Sequence, residues 1–199
     1  TQNITNEVVT KYINRFYQPL TPALGALRQE AEQAEVPIIL KETEQYLKTM
    51  LAVVKPQRIL EIGCAVAYSA MFFAACCGAE VVTIEKDPET YETACANLRR
   101  LGYEDRVTIL CGDGEEAVNQ LKQEEIAPFD LVFIDAAKSH YQRFMEAVLP
   151  VCSPDAVIIC DNVLFKAKVA DDSYDPSGKH KTNIRKMRAF LEYIMKHPQ

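Results

Sequence analysis

The sequence lacks the features that would place the protein in a membrane, in a disulfide scaffold or around a zinc ion. None of its apolar runs approaches the roughly 18 residues that span a bilayer, and no basic-then-apolar leader opens the chain. Its seven cysteines form no C-x-x-C pair and no zinc-ligand spacing. We therefore expect no membrane partner, and small buried thiols in a reducing cytoplasm.

Glycine is also scarce at the one place where a dinucleotide-binding fold needs it. After the first predicted strand only Gly63 is present, and Ala65 and Tyr68 stand at the second and third glycine positions of G-x-G-x-x-G. That motif lets a pyrophosphate rest on a helix N-terminus. A nucleoside without phosphates, such as S-adenosylmethionine, suits this loop better, so methyl transfer is favoured over hydride transfer.

Positive charge is scarce over most of the chain and collects near its end. The net charge of −6 argues against a protein that coats nucleic acid or an anionic membrane. Residues 162–199 nevertheless hold eight Lys and Arg against four Asp and Glu. This segment is either a solvated basic helix or a landing site for a phosphate-bearing substrate.

Apolar strands alternate with helices along the 199 residues. Strands are predicted at 58–63, 80–85, 106–111, 129–135 and 156–161. Helices are predicted at 4–17, 21–36 and 41–54, then after each of the first four strands and at 182–196, while 162–181 forms a long loop. The pattern indicates a parallel sheet covered on both faces. We predict one α/β domain over residues 1–199, with N-terminal helices in 1–55 and a doubly wound, mostly parallel sheet in 56–199.

The predicted strand ends carry polar residues, and ligands of an open parallel sheet bind beyond those ends. Glu85 follows Gly63 by 22 residues, the distance at which an acid on the second strand reaches ribose hydroxyls. Asp113 follows the third strand and is placed to reach an adenine. Asp135 ends the fourth strand, and Asp161 and Asn162 end the fifth. These three oxygen ligands suit Mg²⁺, Mn²⁺ or Ca²⁺ rather than zinc, although Asp and Asn also commonly cap loops.

Five motifs taken together carry a family resemblance over nearly the whole chain: L-E-I-G-x-A-x-x-Y-S, T-I-E, G-D-G, F-I-D-A-A-K and D-N-V-L. They resemble the cation-dependent O-methyltransferases, which include the caffeoyl-coenzyme A and catechol O-methyltransferases. Within that group the bacterial tRNA 5-hydroxyuridine methyltransferases look closest, through residues 36–39 and 161–165. The resemblance implies a Rossmann-like methyltransferase fold, a homodimer, and a cofactor site lined by Ile39, Gly63, Ala65, Ser69, Glu85, Asp113 and Asp135.

By the same resemblance, Asp135, Asp161 and Asn162 hold a divalent metal, and Asp135 and Lys138 are the catalytic residues. Lys138 is either a base beside the acceptor hydroxyl or an exposed lysine at a helix start, and His140 is expected on the surface. The acceptor is 5-hydroxyuridine at the tRNA wobble position or a small catechol-like phenol. A non-catalytic cofactor-binding protein is the third hypothesis.

The chain departs from the family pattern in two places. Ala67 stands where the family usually has glycine, and it is expected to crowd the methionine end of the cofactor. The chain stops at Gln199, where relatives continue into a final antiparallel strand pair. We therefore expect these C-terminal strands to be missing from the sheet.

Overall fold

Three N-terminal helices precede the sheet in the computed structural model, which describes residues 7–197. Helix α1 (Glu7–Ile13) continues into a 3-10 turn (Asn14–Phe16), and α2 (Pro22–Gln33) and α3 (Lys41–Val54) follow. The first part of the helix predicted at 4–17 lies outside the described residues. Helix α2 begins as its sequence predicts, because the Thr21 hydroxyl accepts a hydrogen bond from the Leu24 amide and Pro22 occupies the first turn.

Strands and helices alternate through the rest of the chain. The strands are β1 (Arg58–Ile62), β2 (Glu80–Glu85), β3 (Val107–Cys111), β4 (Phe129–Ile134) and β5 (Cys152–Cys160). The helices are α4 (Tyr68–Cys77), α5 (Pro88–Leu101), α6 (Gly114–Gln123), α7 (Tyr141–Val148) and α8 (Lys181–Lys196). Each of the five predicted strands and each of the helices predicted after Val54 is therefore present.

All strand pairs in the described sheet are parallel, and the strand order is β3-β2-β1-β4-β5. The chain builds outward from β1 to β3 and then returns to place β4 on the other side of β1. Ile62 is in register with Ile84 of β2 and with Ile134 of β4, so the carboxyl ends of the three central strands are level. The order reverses between β1 and β4, where a doubly wound sheet forms its ligand crevice.

Two apolar cores cover the two faces of the sheet. Phe72 and Phe73 of α4 pack with Phe133 on one side, in the core that also receives α2, α3 and α5. On the other side, Phe144 of α7 and Phe190 of α8 pack with the opposite face of the strands. Burial on both faces explains why the strands are almost continuously apolar.

Two boundaries differ most from the prediction. Strand β5 begins at Cys152 rather than at residue 156, with irregular pairing between Phe129 and Leu131. The helix after β4 begins only at Tyr141, because residues Lys138–His140 form a 3-10 turn. Residues 162–180 contain turns and a 3-10 turn at Asp172–Tyr174, as expected of a loop. No helix between Glu7 and His197 is long and apolar enough to cross a membrane.

Candidate active site

A cavity of about 430 Å³ opens at the carboxyl ends of β1 to β4. All seven residues predicted to line a cofactor site line this cavity: Ile39, Gly63, Ala65, Ser69, Glu85, Asp113 and Asp135. The N-terminal helices contribute through the segment between α2 and α3, where Ile39 is almost fully buried. The cavity thus lies at the crevice where the strand order reverses, as the topology requires.

The backbone of Gly63, just after β1, lies close to the backbone of Asp135, just after β4. Its φ is +105°, and a Cβ atom at this position would lie 2.2 Å from the carbonyl oxygen of Asp135. Only glycine combines this backbone conformation with so close an approach. The single glycine retained in this loop is therefore required by geometry.

The loop after Gly63 contains two alanines in the left-handed region. Ala65 has φ 46° and Ala67 has φ 64°, a conformation that costs L-residues roughly 1–2 kcal/mol. Ala67 is fully buried and packs in the core beneath α4. Ala67 is expected to crowd the cofactor, but its methyl group packs in the core and does not line the cavity. Its energetic cost is the strain of a left-handed backbone conformation.

Glu85 is fixed at the end of β2 by two backbone amides. Its Oε2 accepts a hydrogen bond from the Ala65 amide at 3.0 Å, and its Oε1 accepts one from the Asp87 amide at 2.9 Å. Each carboxylate oxygen can accept a further hydrogen bond. The carboxylate therefore has a set orientation and acceptor capacity for hydroxyl groups in the cavity.

Asp113 caps the start of α6 and also lines the cavity. Its Oδ1 accepts from the Glu115 amide at 3.1 Å, and its Oδ2 pairs with the Lys86 ammonium at 3.2 Å. Burial alone would raise the pKa of Asp113, but the hydrogen bonds from Lys86 and the Glu115 amide outweigh it and lower the pKa. Asp113 therefore faces the cavity as a carboxylate.

Lys138 stands among acceptors at the β4 end of the cavity. Its ammonium donates to Asp135 Oδ1 at 3.1 Å, to the Tyr141 hydroxyl at 2.7 Å and to the Asp161 carbonyl at 3.4 Å. Its side chain is only 14% exposed. The alternative of an exposed helix-start lysine is therefore wrong.

The residues predicted to hold a metal lie at the neighbouring ends of β4 and β5. Burial first, and then the charge of Asp135, raise the pKa of Asp161. The main-chain amide of Asn162 donates to Asp161 Oδ1 at 2.7 Å, while Asn162 itself is exposed. No group of three His, Cys, Asp or Glu side chains within residues 7–197 is arranged to hold a metal ion. The predicted set has two carboxylates and one amide, and it stays a prediction.

His140 lines the cavity, contrary to its expected place on the surface. Its ring contacts Phe144 edge-on, with 5.9 Å between the ring centroids. Burial, followed by the charges of Arg143 and Lys186, lowers the pKa of His140. The imidazole is therefore uncharged near neutral pH. Lys186, in the basic segment 162–199, lies close enough to His140 for its charge to lower the pKa of the imidazole.

Glu61 is a functional candidate that the sequence analysis did not single out. It is fully buried in β1, accepts a hydrogen bond from the Thr83 hydroxyl, and leaves Oε1 without a partner. Burial raises the pKa of Glu61 to about 8, although the neighbouring hydroxyl groups of Ser69 and Thr83 oppose the shift. The sequence signal that identifies Glu61 is an ionisable residue inside an otherwise apolar strand.

A second missed group is a buried polar network that joins the N-terminal helices to the cavity wall. Arg28 of α2 pairs with Glu44 of α3 at 2.5 Å. Tyr68, which lines the cavity, donates to Glu44 at 2.7 Å and accepts from Arg28 at 3.1 Å. Such buried charges are stable only when they are paired and hydrogen-bonded. The network therefore fixes α2 and α3 against the first residue of α4.

A doubly wound sheet of this order, with a one-glycine loop after β1 and an acid at the end of β2, defines the class of S-adenosylmethionine-dependent methyltransferases. Comparison with family models gives a match over residues 18–196 to the family described as O-methyltransferase. The chain belongs to this family and is an S-adenosylmethionine-dependent O-methyltransferase.

Named relatives agree with this assignment. A catechol O-methyltransferase of Mycobacterium tuberculosis is 34% identical over 77% of this chain and 70% of its own length. A catechol O-methyltransferase of Niastella koreensis is 30% identical over 84% of this chain and 77% of its own. The crystal structure of an O-methyltransferase from Bacillus cereus in complex with SAH superposes with a TM-score of 0.83 at 28% identity, covering 96% of this chain and 86% of that one.

Proposed function

We propose that this enzyme transfers the methyl group of S-adenosylmethionine to a hydroxyl group of a small catechol-like phenol. The observation that carries the proposal is the position of Asp135, which lines the cavity and also contacts Lys138. A hydroxyl held at Lys138 would therefore face the methyl donor across Asp135. The catechol O-methyltransferases among the relatives support this class of acceptor.

The donor is proposed to lie along the seven cavity residues named above. Glu85 would accept hydrogen bonds from the two ribose hydroxyls, because its carboxylate is already oriented by the Ala65 and Asp87 amides. Asp113 would face the adenine. The positive sulfonium would lie towards Asp135, whose negative charge stabilises it.

A divalent cation is part of the proposal. Asp135, Asp161 and Asn162 would hold Mg²⁺, Mn²⁺ or Ca²⁺, which favour oxygen ligands. Burial first, and then the charge of Asp135, raise the pKa of Asp161. A bound cation would offset both effects by stabilising the two carboxylates. When bound, such an ion acidifies an acceptor hydroxyl and fixes its direction.

We propose that Lys138 assists the loss of the proton from the acceptor hydroxyl. In the reaction the sulfur–methyl bond breaks as the oxygen–methyl bond forms, and the hydroxyl proton leaves the acceptor. Lys138 contacts the Asp135 carboxylate and the main-chain carbonyl of Asp161, and it is largely shielded from water. From this position it would take the proton as a neutral amine or stabilise the phenolate as an ammonium.

A tRNA containing 5-hydroxyuridine is the second candidate acceptor, and one observation favours it. Lys186 lies near His140 at the cavity wall, so part of the basic segment would meet phosphates around a base in the cavity. Arg188, however, donates to the Val169 carbonyl and pairs with Asp172. The Arg188 guanidinium is therefore already bound by the loop at residues 169–172.

Turnover on a panel of catechols, beside tRNA from cells that cannot methylate 5-hydroxyuridine, tests both candidates. We expect methylated catechol, while methyl transfer only to tRNA would overturn the first proposal. Replacing Arg185 and Lys186 with alanine separates the acceptors further. It should raise KM for tRNA and flatten its salt dependence, because fewer counterions are released, and leave catechol turnover unchanged.

We also propose that the enzyme is a homodimer of the cytoplasm. Helix α1 buries none of its residues, and Tyr12, Ile13 and Phe16 are each more than half exposed. Exposed apolar side chains that lie together, as the rings of Tyr12 and Phe16 do, are typical of an interaction site. All seven cysteines are free, which fits a reducing compartment. Light scattering of the wild type and of a Phe16→Asp variant tests the dimer, which the variant should dissociate.

A further inference from the structure

We propose that the hydroxyl of Tyr141 is a positioning group that holds Lys138 and the main chain of Asp161 in a fixed relation. The inference rests on the proposed function, because it concerns the residues that would act on the acceptor. Tyr141 begins α7 three residues after Lys138. Its hydroxyl connects the turn that carries Lys138 to the end of β5.

The hydrogen bonds around Tyr141 run in one direction. The Lys138 ammonium donates to the Tyr141 oxygen at 2.7 Å, and the Tyr141 hydroxyl donates to the Asp161 carbonyl at 2.8 Å. The Ile134 carbonyl lies farther away, at 3.3 Å. A hydroxyl has one proton to donate and lone pairs to accept. Tyr141 therefore uses both capacities to link an ammonium on one loop to a carbonyl on the next.

The ring of Tyr141 is held rigidly, so the position of its hydroxyl is well defined. The side chain is 1% exposed, and it packs edge-on against Phe190 of α8 with 5.6 Å between centroids. A phenol is protonated at neutral pH, so the Tyr141 hydroxyl can donate to the Asp161 carbonyl as the geometry shows.

Removing only this hydroxyl would take one hydrogen bond away from each of two groups. The Lys138 ammonium would keep its contacts with Asp135 and with the Asp161 carbonyl at 3.4 Å but lose its shortest hydrogen bond, and the Asp161 carbonyl would lose the 2.8 Å bond from Tyr141. A small displacement of a group that must meet the reacting atoms costs a large part of the rate. Cofactor contacts on β1 and β2 would remain as they are.

The test is Tyr141→Phe, which keeps the ring and its packing on Phe190, with Tyr46→Phe on the exposed face of α3 as the matched control. We expect kcat to fall roughly 10- to 100-fold, while KM for S-adenosylmethionine changes less than about twofold and the control is unaffected. In a Lys138→Met background, Tyr141→Phe should cause almost no further loss, since its effect passes through Lys138. Unchanged kcat, or full additivity of the two losses, would overturn the proposal.

A second measurement does not depend on turnover. Amide hydrogen exchange of Asp161, whose amide donates to the Ile134 carbonyl, should be faster in Tyr141→Phe than in the wild type and the Tyr46→Phe control. Equal protection in the three proteins would overturn the positioning role. A wild type that methylates no phenol would instead count against the proposed acceptor, and the exchange comparison would still decide the role of Tyr141.

Discussion

The hydroxyl of Thr83 in β2 donates a 2.5 Å hydrogen bond to Oε2 of Glu61 in β1, and both side chains are fully buried. The two residues are also paired in register across the sheet. The other oxygen of Glu61 has no partner. A carboxyl group in this setting is stable as the neutral acid, which explains why its pKa rises to about 8 from an ordinary value of 4.5.

The first prediction is that Glu61 makes the protein less stable as pH rises from about 4.5 to about 8. In this window the unfolded chain has lost the proton that the folded chain keeps, so the free energy of unfolding falls by up to about 1.4 kcal/mol per pH unit. Glu61→Gln has no such proton and should remove much of the slope. Urea unfolding at pH 5 and pH 8 measures it, with the exposed Glu104→Gln as control. The same slope in the wild type and Glu61→Gln would contradict the prediction.

The second prediction concerns Glu85 and the ribose. Glu85→Gln keeps an oxygen for the Ala65 amide but removes the charge and the acceptor of the Asp87 amide, so cofactor binding should weaken by about 1–3 kcal/mol. Calorimetry with S-adenosylmethionine measures the change. Glu89→Gln, on the exposed start of α5, is the control. Affinity equal to that of the wild type would exclude Glu85 from the ribose site.

Divalent cation dependence is the third prediction. Chelator should abolish turnover, and Mg²⁺ or Mn²⁺ should restore it where Zn²⁺ does not, because the proposed ligands are all oxygens. Mg²⁺ should also raise the melting temperature of the wild type without any substrate. Asp161→Asn should lose this shift, and the exposed Asp155→Asn on the same strand should keep it. Full activity of Asp161→Asn in chelator would rule the site out.

The fourth prediction uses the left-handed backbone of Ala67. Both Ala67 and Ala70 are fully buried, but only Ala67 has a positive φ. Ala70→Gly should destabilise the fold by about 1–2 kcal/mol, through chain entropy and lost packing. Ala67→Gly suffers the same losses but relieves roughly 1–2 kcal/mol of strain, so its cost should be less than half as large. Denaturant unfolding of the two variants measures the loss of unfolding free energy in each. Equal losses would show that the backbone of Ala67 is not strained.

The fold was predictable from the sequence because buried parallel strands are nearly continuous apolar runs, and the residue at each strand end is visible without any structure. The sequence places Glu85, Asp113 and Asp135 at strand ends in this way, and all three line the cavity. Tyr141 and the Arg28–Glu44 pair were not, because their roles come from contacts across the fold. Arg28 meets Glu44 through the packing of two helices, and nothing in their spacing indicates it.

The central position of β1 has a consequence for how the enzyme assembles. Its neighbours β2 and β4 come from different parts of the chain, and the cavity needs loops that follow all three strands. A nascent chain that has completed β1 to β3 has one wall of the cavity but lacks the wall that carries Asp135. Parallel pairing over such sequence distances is slow. Tight cofactor retention should therefore be acquired only after β4 has docked, and it can serve as a late marker of folding.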